Sequence, residues 1–265
     1  MLSRLPRQRY WLAIAAVIVI LLSLLPPAGI YARRYVFVES VQFAVFATVV
    51  PALVVLGAPW RALRLGFSRA LPGGRRPGDR RLAGRRPRRG SGFVRAAAVL
   101  LVFLGTVTAW RLPVTVNALA TVPGLAVIEM ATLVSAGSAL WLELVESPPL
   151  LPRLSRPGRA AVAALAMWTI WILAYILGFS QVAWFTAYAH GAGPSPVADQ
   201  EIATGIMWAV PAICFIPVIY ATALTWLKDT EDPDEGLRGI VHADDPRHGP
   251  GRWPRPPRGW DTHSA

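Results

Sequence analysis

Six stretches of this chain are each apolar over the length of a bilayer crossing, and that repetition constrains the fold more than any other feature. A helix needs roughly 20 apolar residues to span the hydrocarbon layer. The windows Tyr10–Ala32, Tyr35–Leu56, Phe93–Leu112, Pro123–Leu144, Ala160–Phe179 and Ile202–Leu227 meet that length. Lipid offers no water to an open backbone, so each window is expected to close its own hydrogen bonds as a helix. The expected fold is an all-α, polytopic membrane helix bundle of six transmembrane helices in residues 1–228, with a disordered cytoplasmic tail in 229–265. Hydrophobic residues make up 54% of the chain and charged ones 16%, and the charges crowd between the windows, which excludes an ordinary soluble core. Arg4, Arg7 and Arg9 before the first apolar run resemble a signal peptide. That run is long, however, and Leu25-Pro26-Pro27 is no small-residue cleavage site, so a retained first helix is expected.

Orientation follows from the basic residues. The tract 61–95 holds twelve Arg against one acid, Asp79, and 24 of the 27 Lys and Arg fall on one side of the predicted topology. Only Arg33, Arg34 and Arg111 remain for the other. This asymmetry places both termini and the Arg-rich loop 57–92 in the cytoplasm. The net charge of +12 is then a topology signal and an attraction to anionic lipid, not a nucleic-acid surface, because Pro72-Gly73-Gly74 and Pro77-Gly78 break the tract into a loose loop. The tail begins acidic at Glu231, Asp232, Asp234 and Glu235 and turns to Trp253-Pro254-Arg255-Pro256-Pro257.

The candidate site starts from Glu129, which interrupts an otherwise apolar window. A carboxylate at that depth costs about 2–3 kcal/mol even on the lenient insertion scale, so it is expected to work. Glu39 and Gln42 sit one turn apart on the second window and share a face. Asp199 and Gln200 open the sixth, and Gln200, Met207 and Cys214 repeat every seven residues along it. Three carboxylates thus gather in the outer half of the bundle, and nothing comparable is expected in the inner half. Each has a plainer role beside the functional one. Asp199 suits the N-cap of its own helix. Glu39 is shallow enough to snorkel to the interface. Met130, Met207 and Cys214 suit packing as well as Cu(I), and a helix places Met207 about 10 Å from Cys214, too far to share one ion. Ala131, Ser135 and Ala139 let a neighbouring helix approach Glu129 closely.

Catalytic signatures are absent, and no enzyme is expected. A single Cys excludes an internal disulfide or a Cys-pair metal motif. The four His are His190 in an outer loop and His242, His248 and His263 in the tail. Ser180, Thr186 and His190 make no triad without a third orienting group. Gly-Ala-Gly-Pro at 191–194 is a turn, since no Lys follows to complete a phosphate loop. Residues 113–121, with Asn117, are open to reading as a loop or a re-entrant segment.

Three blocks carry a family resemblance. Glu39-Ser40-Val41-Gln42-Phe43-Ala44-Val45, followed by Val49-Val50-Pro51-Ala52-Leu53-Val54-Val55-Leu56-Gly57-Ala58-Pro59, is similar to the second-helix block of the CtaG family of bacterial cytochrome c oxidase assembly factors. Glu129-Met130, with Val122-Pro123 before it and Gly137 and Trp141 after, resembles that family's Glu-His block. Asp199-Gln200-Glu201-Ile202-Ala203-Thr204-Gly205-Ile206-Met207-Trp208 resembles its Asp-Gln-Gln motif. Where members carry the two His of the second helix this chain has Glu39 and Phe43, and Met130 replaces the His after the buried Glu.

The resemblance implies an assembly factor of the bacterial plasma membrane, working with haem-copper oxidase subunits. The expected site is an outward-facing acidic pocket of Glu39, Gln42, Glu129, Asp199, Gln200 and Trp208, handling copper or a nascent oxidase subunit. Glu129, Met130, Asp199 and Met207 are its candidate metal ligands. Two other readings stand beside it. One is a membrane scaffold whose site decayed with the His. The other is a small proton-coupled transporter, favoured by Pro51 and Pro211 within spans but opposed by the absence of an internal repeat.

Overall fold

The computed structural model describes residues 5–58, 89–122, 124–147, 152, 154–188 and 193–231. Most of the Arg-rich loop, Pro123, the four His and the tail beyond 231 lie outside the described residues. Every regular element among those described is helical: α1 (Leu5–Leu24), α2 (Ala28–Ala32), α3 (Val36–Ala44), a π-helical turn (Val45–Val49), α4 (Val50–Gly57), α5 (Arg89–Arg111), α6 (Pro113–Thr121), α7 (Leu125–Leu144), α8 (Arg156–Gly178) and α9 (Pro196–Glu231). The chain divides into a bundle, Met1–Ala223, and a second unit, Leu224–Ala265, whose described part is the end of α9.

Five helical stretches are long and apolar enough to cross a membrane: Val36–Gly57, Gly92–Arg111, Leu125–Leu144, Arg156–Gly178 and Pro196–Lys228. The first expected crossing, 10–32, is instead divided, and its apolar helix Arg9–Leu24 is shorter than the other five. Pro26 and Pro27 explain the break. Without amide hydrogens they cannot bond the carbonyls of Leu22 and Ser23, and their rings crowd the preceding turn. Gln42 donates its side-chain amide to the Ser23 carbonyl and so takes over the bond that Pro27 cannot make.

The second crossing is the bundle's axis, with 61% of its apolar window buried against 17–33% for the other four. It is one continuous rod made of α3, the π turn and α4. The π turn immediately precedes Pro51, and a locally wider helix is how a membrane helix accommodates a proline. Thr48 donates to the Ala44 carbonyl at 2.6 Å across this turn. α7 packs directly on it at Gly137, where a Cβ would lie 2.6 Å from Pro51 Cγ and 2.8 Å from the Ala47 carbonyl oxygen. α1 approaches α4 in the same way, Gly57 standing against the backbone of Ala13. Aromatic stacks tie α9 to its neighbours: Trp141 on Phe215 with centroids 5.6 Å apart, and Trp171 on Trp208 at 4.6 Å.

Residues 113–121 form a nine-residue helix, α6, only about 14 Å long at 1.5 Å per residue, too short to cross the membrane. Asn117 on α6 donates to the Trp184 carbonyl (3.2 Å) and accepts from the Ala187 amide (2.9 Å), so this helix pins the connector between α8 and α9.

Candidate functional site

The site is assembled from the starts of α3 and α7 and the end of α5. Glu39, one turn into α3, receives Arg111 Nη2 at 2.6 Å. Both side chains are sealed, 3% and 1% exposed. Glu39 therefore does not snorkel, and Arg111, counted from the sequence only as one of three basic residues on the outer side, is the cation of a buried pair. Burying such a pair costs least when its remaining polar atoms are also bonded, and here Arg111 Nε is the one atom of the pair left without a partner among the described residues. Arg111 Nη1 donates to Ser40 Oγ at 3.0 Å, Ser40 donates on to Glu39 Oε2 at 3.4 Å, and the guanidinium carbon lies 3.8 Å above the centre of the Phe43 ring. A guanidinium over an aromatic face gains from the ring quadrupole, most strongly where water is excluded.

Glu129 stands beside this pair, with Glu39 and Arg111 as the charges it meets. It is 1% exposed, and its Oε1 has no hydrogen-bond partner among the described residues. The group holds two carboxylates and one guanidinium, so one negative charge is left for a proton or an incoming cation to balance. Glu39, Gln42 and Glu129 line a cavity of about 420 Å3 together with Arg33, Leu24, Ile30 and Val127. Tyr188 nearby is buried and donates to the Val116 carbonyl at 3.3 Å, and burial pushes its phenol above the usual range, keeping it a neutral donor.

The other expected pocket residues are drawn elsewhere. Asp199 is fully buried but does not line the cavity. Its two oxygens accept the amides of Val36 (2.9 Å) and Phe37 (2.8 Å), so it caps α3 rather than its own helix. Gln200 binds the α8–α9 connector, donating to the Leu177 carbonyl at 2.8 Å and accepting from the Trp184 amide at 3.1 Å. Trp208 faces outward, 40% exposed, and its carbonyl accepts Trp171 Nε1 at 3.0 Å. Met207 is wholly within the core and Met130 packs half-buried at its edge.

The end of the bundle away from the cavity, expected to lack carboxylates, also holds one. Glu143 near the end of α7 is 2% exposed and accepts Arg95 Nε at 2.8 Å. Arg111 and Arg95 were both legible as basic residues at the ends of an apolar window, where an intramembrane charge commonly pairs with a carboxylate of the bundle.

A family model for cytochrome c oxidase caa3 assembly factors (Caa3_CtaG) matches residues 2–229. The chain belongs to this family. No curated protein and no solved structure matches it. In this Caa3_CtaG protein two residues of the same helix hold Arg111 at the cavity end of the bundle: Glu39 by an ion pair and Phe43 by its ring. A copper ion does not fit this donor set. Glu39 is committed to Arg111 and Asp199 to two amides, and the described residues hold no group of three His, Cys, Asp or Glu able to share an ion. Among the described polar side chains that line the cavity, Glu129 Oε1 is the buried atom left without a hydrogen-bond donor.

Proposed function

We propose that this Caa3_CtaG member is a multi-pass protein of the bacterial cell membrane, both termini cytoplasmic, that assists oxidase assembly by receiving a segment of a nascent oxidase subunit in the Glu39–Gln42–Glu129 cavity. One observation carries the reading. Glu129 is buried, lines the cavity and keeps Oε1 unpartnered. Leaving such a group unsatisfied costs about 1–3 kcal/mol, more for a charged one, and a client that brings an N–H or O–H recovers it. The role is binding, in line with a family of assembly factors and not of catalysts. Family membership supports the oxidase as the destination, and the donor set favours a protein segment over copper as the cargo.

The test is Glu129→Gln, which keeps size and shape and removes the charge. Expression and melting temperature are expected to hold, while assembled oxidase, read as haem absorbance and oxygen consumption in membranes, falls several-fold. Unchanged oxidase in a well-expressed variant would leave the scaffold and transporter readings. Proton flux in proteoliposomes, lost in the same variant, would instead favour the transporter.

A further inference from the structure

We infer that the cavity also binds the headgroup of an aminophospholipid, its primary ammonium on Glu129 and its phosphate on Arg33. The two residues line one cavity from opposite chemical sides. Glu129 is buried with Oε1 unpartnered. Arg33, at the turn after α2, is exposed, and no carboxylate among the described residues pairs with it.

The charges then close in sequence. Glu39 is balanced by Arg111, Glu129 is balanced by a proton or by one incoming cation, and Arg33 awaits one negative charge. A zwitterion with a cationic and an anionic end satisfies both at once. A metal ion would satisfy Glu129 alone, with too few ligands. The ammonium is the better match because it brings N–H donors to a bare carboxylate oxygen.

The walls indicate how such a ligand enters. Ile30 and Val127 line the same cavity and are 61% and 52% exposed, an apolar lip of the kind that faces acyl chains in a membrane protein. At about 420 Å3 the cavity is within the range of small-ligand sites, and the phosphate end stays at the rim where Arg33 reaches it. The site needs no client to exist, and a client segment and a headgroup would exclude one another.

Native mass spectrometry of the full chain in detergent tests this, with phosphatidylethanolamine, phosphatidylcholine and phosphatidylglycerol of identical acyl chains in equal amounts. Phosphatidylethanolamine should be retained about tenfold over phosphatidylcholine, whose trimethylammonium has no N–H to give. Glu129→Gln should erase that preference, and Arg33→Gln should weaken both phosphatidylethanolamine and phosphatidylglycerol. Equal retention of the ethanolamine and choline lipids by the wild-type chain overturns the inference without reference to any variant's folding. Preference for phosphatidylglycerol would reduce the site to a simple anion contact at Arg33 and also overturn it. So would an apolar helical peptide with a single Lys that binds where the lipid does not. Oxidase content is a separate readout, so loss of the lipid preference with normal Glu129 dependence of assembly leaves the client reading intact.

Discussion

Two arginine–glutamate pairs anchor α5, one at each end, and they differ in everything except chemistry. Arg95 meets Glu143 at 2.8 Å, and Arg111 meets Glu39 at 2.6 Å. Both carboxylates are buried, yet Arg95 is 49% exposed and Arg111 only 1%. The open pair can exchange its guanidinium contacts with solvent or headgroups. The sealed pair must find every partner inside the bundle, which is why Ser40 and the Phe43 ring close around it. A buried ion pair does not by itself mark a site. The second carboxylate and the cavity do, since among the described residues an unpartnered buried oxygen is found at both ends, on Glu129 and on Glu143.

Breaking the sealed pair should have the largest effect. Arg111→Met strands Glu39 and is expected to cost about 3–5 kcal/mol, seen as lost yield or a steep drop in melting temperature in detergent. A double change, Arg111→Met with Glu39→Leu, should restore much of that stability while oxidase assembly stays low. If the double variant supports normal assembly, the pair is structural only. Removing the cap comes next. Asp199→Ala leaves the Val36 and Phe37 amides without an acceptor and should cost about 1–2 kcal/mol by thermal unfolding, with a parallel fall in assembled oxidase because Glu39 lies one turn from the loosened end. The open pair should matter least. Arg95→Gln keeps a donor near Glu143 and should cost about 1 kcal/mol or less, with assembly unaffected. A larger loss there than at Asp199 would erase the contrast between the two ends.

The crossings were readable because hydrocarbon imposes one demand on every residue in turn, and a window of apolar side chains records it. The break after Leu24 was harder to see. Pro26 and Pro27 sit in an apolar run, and hydropathy does not register a missing amide hydrogen. Glu129 stood out as a lone charge. Its setting did not, since Arg111 meets Glu39 across 72 positions of sequence. Asp199 shows the limit most clearly. Its type and position announced a cap, and the helix it caps begins 163 residues earlier. Periodicity describes a helix to itself, whereas pairing between helices depends on which faces the bundle brings together. Phe43 illustrates the same point, for an aromatic ring in a buried helix reads as packing until a guanidinium is found above it.

The Asp199 strut also sets an order of events during synthesis. α3 enters the membrane early, but the acceptor for its first two amides belongs to the last crossing. Until residue 199 has left the ribosome, the turn that carries Glu39 has no fixed end, so this end of the bundle takes its final form only after the helix that carries Asp199 has been made. A copy made only as far as α8 would thus hold most of its helices while the turn that carries Glu39 stays loose.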